Sequence, residues 1–365
     1  YMLRSVVDEN DIDEATLASA RELLQRAATA DSARGNVAAM AALVHQRLES
    51  GHGESYATLA NRLAPVEPRV QQNLAGYALN SGQLSQAVVH MARTLVGNRD
   101  TKDAYFPLLM RVAADPQARA VLTAIASDPI PFPWWIDFFT YVAREAEDLN
   151  ALRNLVALRE ASVALPLQEV ERDMYIRRLR QEGLMSEAYL HWVNSLSKEQ
   201  LGVLGYLYDG SFEYAPDNDS GFGWVVQPQG KSGIRVNRGS TYGATGEVAM
   251  RVSFRGMRAR FSHVYQHIFL PPGKYTVSGR ARPDKLEGRR GLQWRVSCTA
   301  VKGEVLGESD LFLGTGDWRR FDFELNVPAT CAGQILRLYS AGDRAVDHEL
   351  KGAIWFEDLK IERSK

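Results

Sequence analysis

The chain has 365 residues, 45% of them hydrophobic and 24% charged, and at ~150 residues per domain that length predicts two or three domains. Its 43 basic and 44 acidic residues nearly cancel, so there is no overall basic surplus of the kind a dedicated DNA or RNA binder carries. No apolar run reaches the ~20 residues needed to span a bilayer; the stretch from Ile130 to Phe139 is interrupted by Pro131, Pro133 and Asp137.

From Asp11 to about Tyr206 the pattern is helical. Apolar residues recur at three- and four-residue spacings in Ala15–Ala28, Ala38–Leu48, Val70–Leu79, Ser85–Leu95, Ala104–Ala113 and Met174–Leu179, with turn residues between them, which predicts many short antiparallel helices. The acidic residues Asp8, Glu9, Asp11, Asp13 and Glu14, and again Glu145, Glu147 and Asp148, suit helix starts and solvated faces. Leu74, Ala78, Gly82, Leu84, Ala87 and Met91 share their spacing with Tyr175, Leu179, Gly183, Met185, Ala188 and Trp192. A small residue where two helices touch, with a glycine in the turn between them, resembles the tetratricopeptide signature. The intervening units are degenerate, and Ile130-Pro131-Phe132-Pro133-Trp134-Trp135 interrupts a regular array. Such a stack usually offers a groove to a protein partner; the alternative is a helical domain that only presents its neighbour.

From Gly210 onward short runs rich in Val, Ile, Phe, Tyr and Trp alternate with Gly, Pro, Asp and Asn clusters, which is all-β patterning. Charge changes at the same place: residues 1–205 hold 20 basic and 25 acidic residues, and 206–365 hold 23 and 19. The expected domains are therefore 1–205, an all-α tetratricopeptide-like superhelix, and 206–365. Alternation predicts strands at Ser211–Glu213, Trp224–Gln227, Gly233–Asn237, Glu247–Phe254, Arg260–Leu270, Lys274–Arg282, Leu292–Val301, Trp318–Val327, Gln334–Tyr339 and Ala353–Ile361. That number of strands suits a two-sheet jelly roll whose first strand pairs with its last.

Asp209-Gly210-Ser211-Phe212-Glu213, Gly223-Trp224, Val264-Tyr265-Gln266-His267-Ile268, Pro272-Gly273-Lys274-Tyr275, Trp318, Val327-Pro328 and Ile354-Trp355-Phe356-Glu357-Asp358-Leu359 come in an order that resembles galactose-binding-like jelly rolls. The pattern is similar to carbohydrate-binding modules of families 4, 9 and 22. Helical repeats followed by such a domain resemble proteins of Gram-negative exopolysaccharide synthesis and export clusters, including those linked to exosortase-type systems. This resemblance implies a non-catalytic role with a secreted polysaccharide in the periplasm or cell envelope. A chain opening at Tyr1 without an initiator Met reads as a processed or trimmed product, any signal or anchor lying in a preceding segment.

Sugar binding needs an aromatic face for the apolar side of a pyranose and planar polar groups for its hydroxyls. Strand parity turns Val264, Gln266, Ile268 and Leu270 toward a core and Tyr265 and His267 away from it. By the same logic Ser278, Arg280 and Arg282 face out beside inward Tyr275 and Val277, and Gln293 and Arg295 face out beside Trp294 and Val296. Tyr265, His267, Arg280, Gln293 and Arg295 are thus expected to make one polar-aromatic surface, walled by Trp224 and Tyr242. Core packing is the alternative for Trp224, as for Trp294, Trp318 and Trp355. Several arginines on one face also suit an acidic sugar, since a guanidinium fork matches a carboxylate; solvated surface arginines are the alternative.

The resemblance further implies a structural calcium where the first strand meets the last. Ser211, Glu213 and Asp358 match its motif positions, with a carbonyl near Gly246 as a further donor; ordinary strand-end carboxylates are the alternative. Cys298 and Cys331, both strand-associated and the only cysteines, exclude a thiolate zinc site and a disulfide-dense fold. They are expected either to pair, which implies an oxidising compartment, or to stand as two buried thiols. No nucleophile elbow, zincin motif, phosphate loop or dinucleotide fingerprint occurs, and Asn218-Asp219-Ser220 fits a glycosylation acceptor. The expectation is a non-catalytic polysaccharide binder and adaptor. The first rival is an assembly scaffold whose jelly roll recognises protein, and a glycan-active enzyme is a more distant one.

Overall fold

The computed structural model describes residues 14–30, 34–116, 119–126, 133–163, 166–217, 219–228, 230, 232–299 and 304–364. Asn218 of the acceptor sequence, Ile130-Pro131-Phe132 of the interrupting segment, and Asp8, Glu9, Asp11 and Asp13 lie outside the described residues. The chain divides into two compact units, Tyr1–Glu171 and Arg172–Lys365.

Among the described residues the first unit is all-helical: α1 (Glu14–Ala30), α2 (Gly35–Arg47), α3 (Gly53–Leu63), α4 (Pro68–Asn80), α5 (Leu84–Gly97), α6 (Lys102–Ala114), α7 (Arg119–Ala126), α8 (Trp135–Glu145) and α9 (Asn150–Glu160), with α10 (Glu169–Gln181) beginning at its end. Small residues let these helices pack closely: Ala39, Ala42, Ala60, Ala87 and Val70 are fully buried. Gly35 and Gly97 have no room for a side chain, since a Cβ on them would lie 2.6 Å from Ala64 and 2.2 Å from Pro68. Further along, Trp134, Phe138 and Phe106 pack edge-on or tilted with ring centroids 5.4 to 6.4 Å apart. The fully buried Glu171 carboxylate accepts from Arg159 Nε (3.0 Å), Trp135 Nε1 (2.6 Å) and the Gln168 amide (2.7 Å). A buried charge of this kind persists only when it is paired and hydrogen-bonded.

The repeat spacing has a backbone counterpart. α4 and α5 join through Gly82 (φ 69°), and α10 and α11 (Met185–Val193) join through Gly183 (φ 76°). Both turns are closed by a bond from the residue before the second helix or its cap back to the first: Gln83 to Ala78, 2.8 Å, and Leu184 to Leu179, 2.9 Å. A left-handed residue here favours glycine because it carries no Cβ penalty.

The second unit contains α11, the short α12 (Lys198–Leu201) and ten strands: β1 (Trp224–Val226), β2 (Ile234–Gly239), β3 (Ala249–Arg258), β4 (Val264–Ile268), β5 (Gly273–Glu287), β6 (Leu292–Cys298), β7 (Val305–Glu308), β8 (Arg319–Val327), β9 (Gln334–Ser340) and β10 (Glu349–Arg363). They form a β-sandwich of two five-stranded antiparallel sheets, sheet A in the order β1-β4-β9-β6-β7 and sheet B in the order β2-β3-β10-β5-β8. Trp224, Trp294, Phe312, Phe356, Val252, Val277 and Leu338 fill the space between them. Cys298 at the end of β6 and Cys331 just before β9 form a disulfide with 5.7 Å between their Cα atoms.

The structure corrects several expectations. Ser211–Glu213 is a turn: Asp209 (φ 48°) and Phe212 (φ 60°) are left-handed, and the Asp209 carboxylate accepts from the amides of Glu213 (2.8 Å) and Tyr214 (2.9 Å). The expected first-to-last strand pairing is a single backbone bond, Leu359 N to Gly210 O at 2.9 Å, and β10 lies at the centre of sheet B. β7, which short alternation did not reveal, is one of the two outer strands of sheet A. The switch from helix to strand falls where expected, but the compact unit begins earlier, at Arg172. The reason is aromatic packing: Trp192 of α11 lies 5.1 Å from Tyr208 and 5.6 Å from Phe222, and Tyr189 lies 5.1 Å from Phe222 and 5.6 Å from Phe269. A Cβ on Gly221 would stand 2.0 Å from the Trp192 ring, and one on Gly333 would stand 2.5 Å from Met185.

Trp192→Ala is therefore expected to destabilise the second unit by about 3–5 kcal/mol, the cost of emptying a buried large aromatic. A fragment starting at 206 should also melt below one starting at 172. Guanidinium and thermal melts followed by near-ultraviolet dichroism check both.

Candidate functional site

The expected surface does not form as one face. Tyr265 and His267 (β4) and Gln293 and Arg295 (β6) lie on the outer side of sheet A, whereas Arg280 (β5) lies on the outer side of sheet B. Strands close in sequence cross between the sheets, so shared parity does not mean a shared face. Trp224 is not a wall either. It is 4% exposed, packs between Phe212 (4.8 Å) and Trp294 (5.8 Å), and donates from Nε1 to Asp209 O at 2.9 Å.

The outer side of sheet A is occupied by its own side chains. Tyr265, Arg337 and Arg295 stand opposite one another across β4, β9 and β6. The Arg337 guanidinium covers the Tyr265 ring at 4.3 Å, and that of Arg295 covers Tyr339 at 5.0 Å. Arg295 also pairs with Glu308 (3.1 Å), and Gln293 donates to Ser309 O (2.6 Å). His267 reaches Asp219 (Nε2 to Oδ1, 3.3 Å), which also takes Arg180 (3.0 Å) from α10. Burial opposes charge on Asp219, but the His267 bond and the Arg180 guanidinium outweigh it and hold its pKa at about 2. Burial pushes His267 below its ordinary value. The ring is therefore neutral at pH 7 and donates through Nε2, with Nδ1 buried and unpartnered among the described residues.

The outer side of sheet B is different. Asn237, Arg251, Trp355 and Arg282 stand in register across β2, β3, β10 and β5. The Trp355 ring lies 5.6 Å from the Arg251 guanidinium and 5.7 Å from that of Arg282. Trp318, just before β8, lies 5.7 Å from Arg282 and 5.2 Å from Arg280. The row thus alternates arginine and tryptophan, each contact a cation–π interaction within ~6 Å. The 241–245 loop borders it. Trp318 Nε1 donates to Tyr242 O (2.9 Å), Arg280 donates to Gly243 O (3.2 Å), Arg282 donates to the Thr241 hydroxyl, and Arg280 pairs with the fully buried Glu357. Gly243 is left-handed (φ 74°), and a Cβ there would lie 2.9 Å from the Trp318 ring. At the loop tip the Tyr242 ring is 91% exposed. Arg251, Trp318 and Trp355 were not among the expected site residues. Their signal was the alternation itself, Trp355 between inward Ile354 and Phe356 and Arg251 between inward Met250 and Val252.

Ser211, Glu213 and Asp358 gather where residues 209–213 meet β10. Asp358 accepts from the hydroxyls of Ser211 (3.2 Å) and Thr245 (2.7 Å), and Glu213 accepts from the amides of Glu247 (3.2 Å) and Val248 (3.4 Å). Gly246 leaves room for that carboxylate, since a Cβ would lie 2.7 Å from Glu213 Oε1. Carboxylate and hydroxyl oxygens are the donor class that calcium takes. Among the described residues no group of three or more His, Cys, Asp or Glu side chains has metal spacing, so hydroxyl and backbone oxygens would complete any such site.

No family model and no curated protein matches the chain. Solved structures similar to part of it include a family 4 carbohydrate-binding module (CBM4; 19% identity, 43% of this chain and 99% of that one, TM-score 0.33). Another is the CBM22-1 xylan-binding domain of Paenibacillus barcinonensis Xyn10C (14%, 43% and 92%, TM-score 0.30). A third is TmCBM61 in complex with β-1,4-galactotriose (18%, 44% and 99%, TM-score 0.29). The class of protein that the structure itself defines is a helical unit followed by a jelly-roll β-sandwich.

Histidines that lose solvent on folding set the expected response to acid. Burial lowers His45, His263 and His267, and takes His90, whose ring bonds Gln71 Oε1 at 2.7 Å, down to about 4. The unfolded chain takes up these protons near pH 6.5 and the folded chain does not, so stability falls as pH drops from about 6.5 toward 4. Asp219, held low when folded, extends the loss below pH 4. Melting temperatures at pH 7.5, 5.5 and 4.5 should fall in that order, and His90→Gln should flatten the slope of the first unit.

Proposed function

We propose that this is a non-catalytic polysaccharide-binding protein, with the β-sandwich as the glycan-holding part and the outer side of sheet B as its face. The observation that carries this is the exposed Tyr242 at the tip of a loop whose backbone borders a row of planar polar side chains. An exposed aromatic face flanked by planar hydrogen-bonding groups is what a pyranose needs, an apolar surface for its C–H side and forks for its hydroxyls. The sequence resemblance to carbohydrate-binding modules supports the same reading. Its finer form is an adaptor in bacterial exopolysaccharide synthesis or export, located in the periplasm or envelope, with tetratricopeptide-like helical hairpins docking a protein partner. The helix–glycine–helix units at 68–97 and 169–193 and the disulfide support that form, the latter because such bonds persist in oxidising compartments.

A second reading, a scaffold whose jelly roll recognises protein, draws on the outer side of sheet A, where the Tyr265 and Tyr339 rings are covered by arginines.

Affinity electrophoresis of the full chain in gels containing neutral or acidic polysaccharides separates the two readings. Retention that Tyr242→Ala reduces about tenfold, the scale of a lost stacking contact, is the expected result. A folded chain retained by none of the polymers favours the scaffold.

The proposal includes a structural calcium ion at the corner of residues 209–213 and β10. Ser211, Glu213 and Asp358 would hold it. The ion would tie the entry of the sandwich to its last strand and take no part in any reaction. Calcium is then expected to raise the melting temperature of the second unit and a chelator to reverse it, with Asp358→Asn abolishing the shift. Scanning calorimetry checks this, and an unchanged transition counts against the ion.

A further inference from the structure

In the row across sheet B, both tryptophans have their faces engaged. Trp355 stands between Arg251 and Arg282, and Trp318 lies against Arg282 and Arg280 with the Gly243 backbone also packed on its ring. An indole whose faces are covered by guanidinium groups is a poor platform for a sugar ring, but it is a good support for the guanidinium. Stacking fixes the plane of the fork.

The charges in the row are unequal. Arg280 is neutralised by the buried Glu357. Arg251 and Arg282 have no carboxylate partner among the described residues; the Nε of Arg282 is buried and one of its Nη groups donates to the Thr241 hydroxyl, so its other Nη is what it offers to a ligand. Two uncompensated guanidiniums thus flank Trp355 on β3 and β5, two strands or about 9–10 Å apart. That spacing is comparable to a disaccharide.

We propose that Arg251 and Arg282, braced by Trp355 and Trp318, bind the carboxylate groups of an acidic polysaccharide laid across the strands of sheet B. This rests on the glycan-binding reading above and names its substrate class. Tyr242 supplies an exposed aromatic ring, while the braced guanidiniums supply charge-assisted hydrogen bonds, the stronger and more selective contribution.

The test measures retention of the full chain by polygalacturonate, alginate and xanthan, with carboxyl-reduced polygalacturonate as the neutral counterpart and double-stranded DNA as a polyanion that is not a glycan. The expected result is retention by at least one of the acidic polymers, about tenfold stronger than by the neutral one and weakened by salt. Arg251→Gln and Arg282→Gln should each lower it about tenfold. Arg260→Gln, which removes an exposed charge away from the row, should leave it unchanged, and melting curves confirm that the variants fold.

Equal retention by acidic and neutral polymers, or acidic retention indifferent to Arg251→Gln and Arg282→Gln, overturns the proposal and leaves glycan binding standing. Equally strong binding to DNA overturns it in favour of a general polyanion surface. A folded chain retained by no polysaccharide removes both the proposal and the glycan reading on which it rests.

Discussion

The registers of β10 against β3 and β5 fix most of what the second unit presents to solvent. Ile354 and Phe356 point into the sandwich, where Phe356 meets Trp294 at 5.4 Å and Phe312 at 5.2 Å. Trp355, between them, has no choice but to face out. A slip of one residue would exchange the two sets completely. Burying a large apolar side chain is worth about 1.5–3 kcal/mol, against about 0.5–1 kcal/mol for an exposed cation–π contact. The core therefore sets the register, and the outer row of arginines and tryptophans inherits its alignment from it.

This hierarchy explains what could be read in the sequence. Alternation is enforced by the core, so nine of the ten observed strands fall within or overlap the expected runs, and the inward and outward sets of β4, β5 and β6 follow from parity. Sheet membership is not written in alternation, which is why Arg280 was grouped with Tyr265 and His267, residues on the other side of the sandwich. The Asp209 and Phe212 turn was hidden because the same polar and apolar letters that alternate in a strand also build a side-chain-capped turn. β7, four residues long and half-exposed, carries too little pattern to stand out. The two helix–helix turns were legible through Gly82 and Gly183, since a left-handed turn restricts the residue that fills it. The extent of the second unit was not. Met185, Tyr189 and Trp192 look like any amphipathic helix, and only the structure shows them against Phe222 and Gly333.

Both units bury polar groups with partners. In the helical unit, Glu171 brings a full charge inside and surrounds it with a guanidinium, an indole N–H and a backbone amide. Such a cluster specifies one arrangement, because losing any donor leaves an uncompensated buried charge. In the sandwich Glu357 is likewise fully buried and met by the Arg280 guanidinium, while two buried amides take up backbone groups. Gln266 exchanges hydrogen bonds with the backbone of Tyr208 in both directions (2.9 Å each), and Gln334 bonds Leu270 and Cys331. These serve as substitute backbone pairing where strands give way to loops.

The disulfide bears on the vulnerable margin of the sandwich. β7 and β8 are each an outer strand of their own sheet, and their backbones approach so closely that a Cβ on Gly307 would lie 2.4 Å from Glu324 O. Both strands fall inside the covalent ring that Cys298 and Cys331 close across 33 positions, a ring worth about 3–4 kcal/mol in lost disorder of the unfolded chain. Unpaired strand margins are where proteins fray and where foreign strands add on. With its ends tethered, a margin that opens stays close to its own sheet. The bond therefore limits how far this edge of the sandwich can open, a restraint that the opposite edge, β1 and β2, does not share.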